Sequence, residues 1–324
     1  TRDLAGNDMY GKLPSPIGVI SLDQDPKTGH LTLVKYHNVD MSKVHGLWIT
    51  CGASLSPWNT HLSSEEYEPD AFDQIGTTLS TLKAYSSYLY GNEDEANVYN
   101  YGHMPEIVLD GKGGGTAKKH YCLGRISHEL IQMMPDNRTA IMGDDYTNGG
   151  FFMFIADQAK DLSAGTLYVA KYTSLLSNNT TGQIQWIELG HATSKEIEDL
   201  VNISNIQPSD IMESVNVNPN DASFTEIMLA KKKLWVKVKP GMEKAAAFLE
   251  THRYAALKGA SMAFTKMEGT TVNIKDKIAY SAMSRIEKSM TTDEYDVKVA
   301  QLKSGAVYAH ELKGGQVDNN GKAI

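Results

Sequence analysis

The chain has 324 residues, of which 41% are hydrophobic and 22% are charged, and its net charge is −8. This composition can build a sizeable core, and no apolar run reaches the roughly 18 to 20 residues of a membrane-spanning helix. It excludes intrinsic disorder, a coiled coil and collagen, and it predicts that no segment spans a membrane. The acidic balance argues against a nucleic-acid partner and is compatible with bound cations.

The cysteines and the first residues leave the cellular compartment open. Cys51 and Cys122 are too few for a disulfide scaffold or a four-cysteine zinc site, although one bridge between them remains an alternative. The chain begins with Thr1, and neither a basic n-region nor an apolar h-region follows. We therefore expect either a chain whose export signal has been removed or an internal fragment.

Short apolar runs bounded by Gly, Asn, Asp or Pro recur along the chain, which is typical of a protein with many short strands. They predict strands over 17–22, 31–36, 47–50, 139–143, 151–155, 166–172, 184–189, 234–239 and 278–283. In the run 234–239, apolar residues alternate with Lys237 and Lys239, which predicts a half-buried strand. The run 151–155 has no polar face, so we expect it to be buried on both sides.

Helical patterns are fewer and lie between the strands. Ser194 is predicted to cap a helix over 195–201, because acidic residues follow it in the first turn. Apolar residues spaced by three and four predict one amphipathic helix over 241–257. Residues 93–115 are polar and contain a Gly-Lys-Gly-Gly-Gly run, which predicts a loop.

These elements predict one mostly β domain over 1–324, with a polar loop insertion at about 91–118 and a helical insertion at about 194–257. The strand spacing suits the four-stranded blades of a β-propeller with short helical insertions, each blade being about 40 to 50 residues long. A β-sandwich is the alternative, since no repeat of fixed period is visible.

The densest acidic segment holds Glu65, Glu66, Glu68 and Asp70 within six residues. Prolines at 57 and 69 place it in a loop or at a strand end. Mutual repulsion makes such a cluster costly without counter-ions, and clustered oxygen ligands suit Ca²⁺ or a harder trivalent ion. A solvated acidic loop is the alternative.

Two further acidic pairs lie beside predicted strands. His128 and Glu129 precede an apolar run, and neighbouring strand residues face opposite ways, so only one of them can address a shared centre. We predict Glu129 as a ligand and His128 as a supporting donor or phosphate contact, with a surface salt bridge as the alternative. Asp144 and Asp145 end another strand, where either can ligate a cation or make Asx-turn hydrogen bonds.

Lys266 and Glu268 lie two residues apart, which places both side chains on one face of a strand. In that position Lys266 can hold a phosphate oxygen while Glu268 holds a metal ion. An exposed ion pair is the alternative. The chain has no Gly-x-Ser-x-Gly elbow, no P-loop and no His-Glu-x-x-His segment. The sequence therefore argues against a serine esterase, a P-loop nucleotidase and a zincin.

Several co-linear blocks resemble the PhoX-type alkaline phosphatases. The blocks are SPWNTHLSSEEYEPD at 56–70, GRISHE at 124–129, MGDD at 142–145, DLSAGTLY at 161–168, RYAALKG at 253–259 and AMSRIEKSM at 282–290. The first of them contains the Ser-Ser-Glu-Glu-Tyr-Glu-Pro-Asp pattern of a subgroup. Together they are spread over the chain from about residue 51 to residue 290.

The resemblance implies a β-propeller that bacteria export, with iron and calcium at its axis and phosphate monoesters as substrates. It places Glu65 and Glu66 on the family's paired glutamates, and Glu129 and Glu268 on ligand glutamates. It also places Lys266 on the position of a phosphate-binding arginine. Bound cations would clamp the phosphate and stabilise the charge that develops on it.

Three departures from the family pattern bear on the chemistry. Ser64 stands where the members with thiolate-bound iron carry a cysteine, which favours calcium, because a hydroxyl is a poor iron ligand. Lys266 offers a point charge in place of the arginine fork. The family's further Asp-Asn segment and last aspartate ligands would follow Ile324, so both a complete and a partial propeller stay open.

The sequence thus predicts a phosphoric-ester hydrolase that is periplasmic or secreted and acts on a small phosphorylated substrate. Several calcium ions are the predicted cofactors, and iron is the less favoured one. The predicted ligands are Glu65, Glu66, Glu129, Asp145 and Glu268, with Ser64 and Asp144 as additional candidates and with Lys266 and His128 as catalytic groups. The alternative is a calcium-binding propeller without turnover that acts as an extracellular structural or interaction protein.

Overall fold

The computed structural model describes residues 2–293 and 296–324. It confirms a mostly β protein, with 38% of residues in strands and 17% in helices. Among the described residues, no helix is both long enough and apolar enough to cross a membrane.

Strands make up most of the regular structure, and we number them in chain order. They are β1 Gly18–Gln24, β2 Leu31–Asn38, β3 Ser54–Leu55, β4 His61–Leu62, β5 Met104–Leu109, β6 Gly115–His120, β7 His128–Met133, β8 Thr139–Asp144, β9 Phe152–Gln158, β10 Asp161–Tyr172, β11 Leu176–Ser177, β12 Ile184–Thr193, β13 Met212–Val215, β14 Thr225–Leu229, β15 Lys232–Val238, β16 Met267–Asn273, β17 Ile278–Met283, β18 Val297–Lys298 and β19 Ala306–Glu311.

The helices are short. The α-helices are α1 Gly76–Tyr90, α2 Ser194–Asn202, α3 Pro208–Ile211, α4 Glu243–Leu249 and α5 Thr251–Leu257. Single 3-10 turns occur at Ser42–Val44, Val98–Asn100, Tyr121–Leu123 and Lys288–Thr291.

The largest sheet has five antiparallel strands in the order β12-β10-β9-β8-β7. A four-stranded sheet has the order β3-β4-β5-β6, and two three-stranded sheets have the orders β13-β15-β14 and β16-β17-β19. The pairs β1-β2 and β11-β18 complete the strands of the described residues. Strand β16 lies against β7 and β8, so it brings a second sheet to the edge of the largest one.

The main core fills the space between the five-stranded sheet, the helices α2, α4 and α5, and the sheet of β13 to β15. Phe152 and Phe154 belong to this core, whereas Phe151 belongs to a second core shared with β17. The expected burial on both faces is thereby confirmed for residues 151–154, whereas Ile155 is half-buried. A stable pair of cores fixes the relative position of β7, β8 and β16, which carry the acidic residues discussed below.

The prediction of a polar loop over 91–118 is wrong in its second half. Strands β5 and β6 form an antiparallel hairpin there. The glycine-rich run is the loop of that hairpin, where Asp110 Oδ1 accepts hydrogen bonds from the backbone N–H of Lys112 (2.7 Å) and of Gly114 (3.0 Å). The polar residues of β6 concealed its strand pattern, because Lys119 is paired in the protein interior rather than in solvent.

The helical predictions need three corrections. The N-cap of α2 is Thr193, which makes a capping box with Glu196, so Ser194 lies inside the helix. The expected helix over 241–257 is interrupted at Glu250, where the backbone leaves the helical region. The region 194–257 also contains strands β13 to β15.

The strand predicted over 47–50 is not formed. This segment is irregular, with Leu47 and Trp48 buried and with Ile49 and Thr50 half-buried.

Candidate metal centre

Three carboxylates meet where β7, β8 and β16 come together. Strand β7 begins with His128 opposite Asp144 at the end of β8, so Glu129 and Asp145 lie at the same end of the sheet. Strand β16 lies against both strands and contributes Glu268 near its first residue. The geometry thus follows from antiparallel pairing and from the packing of one sheet on the edge of another.

Two glycines permit the close approach of these segments. A Cβ atom at Gly143 would lie 2.5 Å from the carbonyl oxygen of Glu268, and a Cβ atom at Gly52 would lie 2.3 Å from that of Glu129. No side chain fits at either position without moving the opposing backbone. Gly143 therefore allows Glu268 to reach Asp145, and Gly52 allows its neighbour Cys51 to reach Glu129.

The clustered ligand atoms form two overlapping groups that share Glu129. One group is Cys51, Glu66 and Glu129, and the other is Glu129, Asp145 and Glu268; the ligand atoms in each group lie within 4.8 Å of one another. Glu66, Glu129 and Asp145 are buried, whereas Cys51 is exposed and Glu268 is half-buried. We call these five residues the acidic cluster.

Among the residues that the structure describes, one cation, Lys266, contacts the cluster. The ammonium of Lys266 pairs with Asp145 Oδ2 and lies 3.3 Å from Glu268 Oε1. This single positive charge faces the four carboxyl groups of the cluster. The pKa of Glu66 is raised to about 8 by burial, by a hydrogen bond with Asp145 and by the charge of Glu129. Burial also raises the pKa of Glu129. Both shifts indicate a site that lacks positive charge.

The acidic cluster fits a bound cation. Glu129 Oε2 is buried and has no hydrogen-bond partner among the described residues, while Glu129 Oε1 lies 3.1 Å from Cys51 Sγ. An unpaired buried carboxylate oxygen is costly unless a cation or another donor satisfies it. Carboxylate oxygens suit calcium, and a thiolate beside them suits a softer metal such as iron.

Glu65 does not join the cluster, although it was predicted to be a ligand. Its Oε1 accepts hydrogen bonds from the backbone N–H of Trp48 (2.8 Å) and from Lys119 Nζ (2.9 Å). Its Oε2 accepts from the backbone N–H groups of Gly102 and His103, each at 3.0 Å. Glu65 is fully buried, and these four hydrogen bonds give each of its carboxylate oxygens two partners. Its neighbour Glu66 faces the opposite way, into the cluster.

His128 and Asp144 also lie outside the cluster. Each directly precedes a ligand candidate and points to the other side of its strand. Asp144 pairs with His252 Nε2 at 3.0 Å, and His252 Nδ1 lies 3.3 Å from Glu68 Oε1. Burial lowers the pKa of His252, but the two carboxylates outweigh it and raise the value to about 10.

His128 has no path to a substrate, because it is fully buried and its Nε2 lies 3.0 Å from the carbonyl oxygen of Gly124. Burial lowers its pKa to about 4, so the imidazole is neutral near pH 7. A phosphate contact therefore does not fit its position.

Ser64 was an additional ligand candidate but lies outside the cluster, whereas Cys51, which was not a candidate, belongs to it. Ser64 is fully buried; its Oγ donates to the carbonyl oxygen of Gly52 (2.8 Å) and accepts from the backbone N–H of Cys51 (3.3 Å). It thereby holds the segment that carries Cys51 against the cluster. The contact between Cys51 and Glu129 joins residues that are distant in sequence, so no sequence pattern predicted the thiol as a ligand candidate.

The alternative of a disulfide between Cys51 and Cys122 is not realised, since both residues are free thiols in the described part of the chain. Cys122 is buried elsewhere, with its Sγ 3.2 Å from the carbonyl oxygen of Leu162.

The fold and the cluster define the class of protein: a mostly β protein with buried, undercompensated carboxylates that can hold cations. The family model described as alkaline phosphatase PhoX matches residues 21–320, so this chain belongs to the PhoX alkaline phosphatase family. The resemblance drawn from the sequence blocks is thereby confirmed, and the family is one of metal-dependent phosphatases. Neither a curated protein nor a solved structure matches the chain.

Proposed function

We propose that this protein is a metal-dependent phosphatase that hydrolyses small phosphate monoesters at the acidic cluster. The observation that carries the proposal is the pair of overlapping ligand groups that share Glu129. Membership of the family supplies the reaction class, and the unpaired Glu129 Oε2 supports a cation at this place. Cys51 replaces Glu65 in the ligand set that the sequence predicted.

The two groups differ in the cation that they suit. Glu129, Asp145 and Glu268 offer only oxygen atoms, the donor set of calcium. The group of Cys51, Glu66 and Glu129 adds sulfur, which suits iron. Bound cations would offset the negative charge of the phosphate and draw electron density from its oxygen atoms, which makes the phosphorus atom more open to attack. We thus propose calcium together with iron, the thiol of Cys51 compensating for the hydroxyl of Ser64.

Lys266 is the chain's own phosphate-binding group in this proposal. Its side chain is 28% exposed, so the ammonium can meet a ligand at the edge of the cluster while Asp145 and Glu268 hold it. Burial lowers the pKa of Lys266, but hydrogen bonds with Asp145 and Tyr67 outweigh it and raise the value well above the usual range. The ammonium therefore keeps its charge at alkaline pH, where it can bind a phosphate oxygen.

The proposal extends to the architecture and the location. We propose that the sheets are blades of a β-propeller whose axis passes near the acidic cluster, because carboxylates from separate sheets converge there. We also propose that the protein works in the periplasm or outside the cell, as PhoX phosphatases generally do.

The test is to purify the protein without chelators, determine its metal content and assay an aryl phosphate. The wild type is expected to contain calcium and iron and to hydrolyse the ester, whereas Glu268→Gln removes a ligand and should reduce the rate at least about 100-fold. Glu226→Gln is the control, because Glu226 is a half-exposed carboxylate on β14 that pairs with Lys233. Activity that survives Glu268→Gln contradicts the proposed site. Calcium binding without any hydrolysis supports instead a cation-binding protein without turnover.

A further inference from the structure

Tyr67 lies between the cation and a carboxylate of the acidic cluster. Its hydroxyl donates a hydrogen bond to Asp145 Oδ2 (2.5 Å) and accepts one from Lys266 Nζ (2.9 Å). The ammonium also lies 5.6 Å from the centre of the Tyr67 ring. Tyr67 is 39% exposed, so its side chain lies at the edge of the cluster and not in the hydrophobic core.

The backbone of Tyr67 is held in an unfavourable conformation. Its φ is +49°, in the left-handed region that residues with a side chain rarely adopt, and φ of Lys266 is +53°. Two buried groups fix Tyr67 there: Ser127 Oγ accepts from its N–H (2.9 Å), and Trp48 Nε1 donates to its carbonyl oxygen (2.9 Å). Surroundings that over-determine a strained residue are typical of functional sites.

We propose that Tyr67 is a positioning residue that holds the Lys266 ammonium where the substrate phosphate enters. This inference rests on the proposed function. A lysine side chain is flexible and carries three rotatable donors. Tyr67 and Asp145 accept hydrogen bonds from two of them, and Glu268 Oε1 lies 3.3 Å from the same nitrogen. The incoming phosphate oxygen would take the place of Glu268 when Glu268 binds a cation. Without the phenol oxygen, the ammonium loses one of the two anchors that fix its direction.

The test compares Tyr67→Phe with Tyr10→Phe in the metal-loaded protein. Tyr10 lies close enough to Glu66 and Lys266 for their charges to act on it, but its hydroxyl makes no hydrogen bond among the described residues. We measure KM and kcat for an aryl phosphate, the dissociation constant of inorganic phosphate by calorimetry, the calcium affinity and the melting temperature. Tyr67→Phe is expected to raise KM and the phosphate dissociation constant about tenfold, the effect of one charge-assisted hydrogen bond.

A positioning role predicts that Tyr67→Phe weakens phosphate binding more than calcium binding, because the hydroxyl orients Lys266 and only supports Asp145 by one hydrogen bond. The melting temperature should stay within about 2 °C of the wild type. Adding Lys266→Arg should restore most phosphate affinity, because the planar guanidinium is less dependent on an anchor. Phosphate affinity that is unchanged in Tyr67→Phe overturns this inference, as does a parallel loss of calcium and phosphate affinity. A wild type that neither hydrolyses nor binds phosphate overturns the proposed function, and the inference with it.

Discussion

Glu65 and Glu66 are adjacent and chemically identical, yet they have different roles in the structure. Glu65 is saturated by Lys119 and by backbone donors in the interior, whereas Glu66 faces Cys51 and Glu129 in the acidic cluster. The paired glutamates therefore combine an interior ion pair with a ligand candidate. Because both residues lie in one irregular segment, a displacement of the first would move the second.

The first prediction is that Glu65→Gln destabilises the protein more than Glu66→Gln does. Lys119 is fully buried and has Glu65 as its ion-pair partner, so neutralising Glu65 leaves an uncompensated charge inside the protein. The expected loss is about 3 to 5 kcal/mol in the free energy of unfolding. Glu66→Gln removes a charge that the metal-free site disfavours, and it should be nearly neutral. Urea unfolding of both variants after chelation measures the difference. Equal losses in the free energy of unfolding would contradict the assignment of Glu65 to the interior ion pair with Lys119.

At the scale of elements, the cluster depends on how closely the strands approach one another. The contact of Gly143 in β8 with the backbone of Glu268 joins the five-stranded sheet to the sheet of β16. A larger residue at 143 would separate the two sheets at the point where Asp145 and Glu268 meet. The precision of the site thus depends on backbone packing as well as on its ligands.

The second prediction is that Gly143→Ala weakens both folding and cation binding. Its Cβ would lie 2.5 Å from a carbonyl oxygen, so β16 must shift, at a cost of about 1 to 3 kcal/mol in the free energy of unfolding. Calcium affinity should fall as Glu268 moves away. Gly269→Ala is the matched control, because Gly269 lies in β16 and a Cβ there meets nothing within 4 Å. Calorimetric titration with calcium measures the effect, and equal affinities of the two variants would refute the argument.

The strands with clear apolar patterns were predictable, and those that depend on tertiary partners were not. The run 278–283 matches β17, and the half-buried strand predicted at 234–239 is β15 within a shift of two residues. Strand β6 was missed, because the polar Lys119 and His120 are buried with Glu65 and Glu106 as partners. A sequence pattern cannot show that Lys119 pairs with Glu65, which lies 54 residues away.

At the scale of the whole molecule, each acidic segment singled out in the sequence contributes one residue to the acidic cluster, but the sequence could not show which residue of a pair faces the cluster. Glu66, Glu129 and Asp145 join the cluster, while Glu65, His128 and Asp144 point away. Alternation along the chain tells only that neighbours diverge; the side that becomes the centre is set by the packing of separate sheets. Cys51 was missed for the same reason, because its contact with Glu129 joins residues distant in sequence.

The third prediction concerns the acid stability of the whole protein. Glu106 on β5 is buried; burial raises its pKa, but His120, Thr60 and Trp58 outweigh this through hydrogen bonds and lower it to about 2. The folded value lies below the unfolded value of about 4.5, so the unfolded chain binds the proton more readily. This contribution to stability is fully present above about pH 4.5 and is lost as the pH falls toward about 2.

The size of that contribution is on the order of 3 kcal/mol, from a pKa difference of about 2.5 units. The free energy of unfolding of the wild type should therefore fall more steeply between pH 4.5 and pH 2 than that of Glu106→Gln, which has no carboxyl group to protonate. Urea unfolding across this range measures the difference, with chelator present so that the distant acidic cluster binds no cation in either protein. Parallel curves for the two proteins would show that the pairing of Glu106 with His120, which joins β5 to β6, does not support the fold.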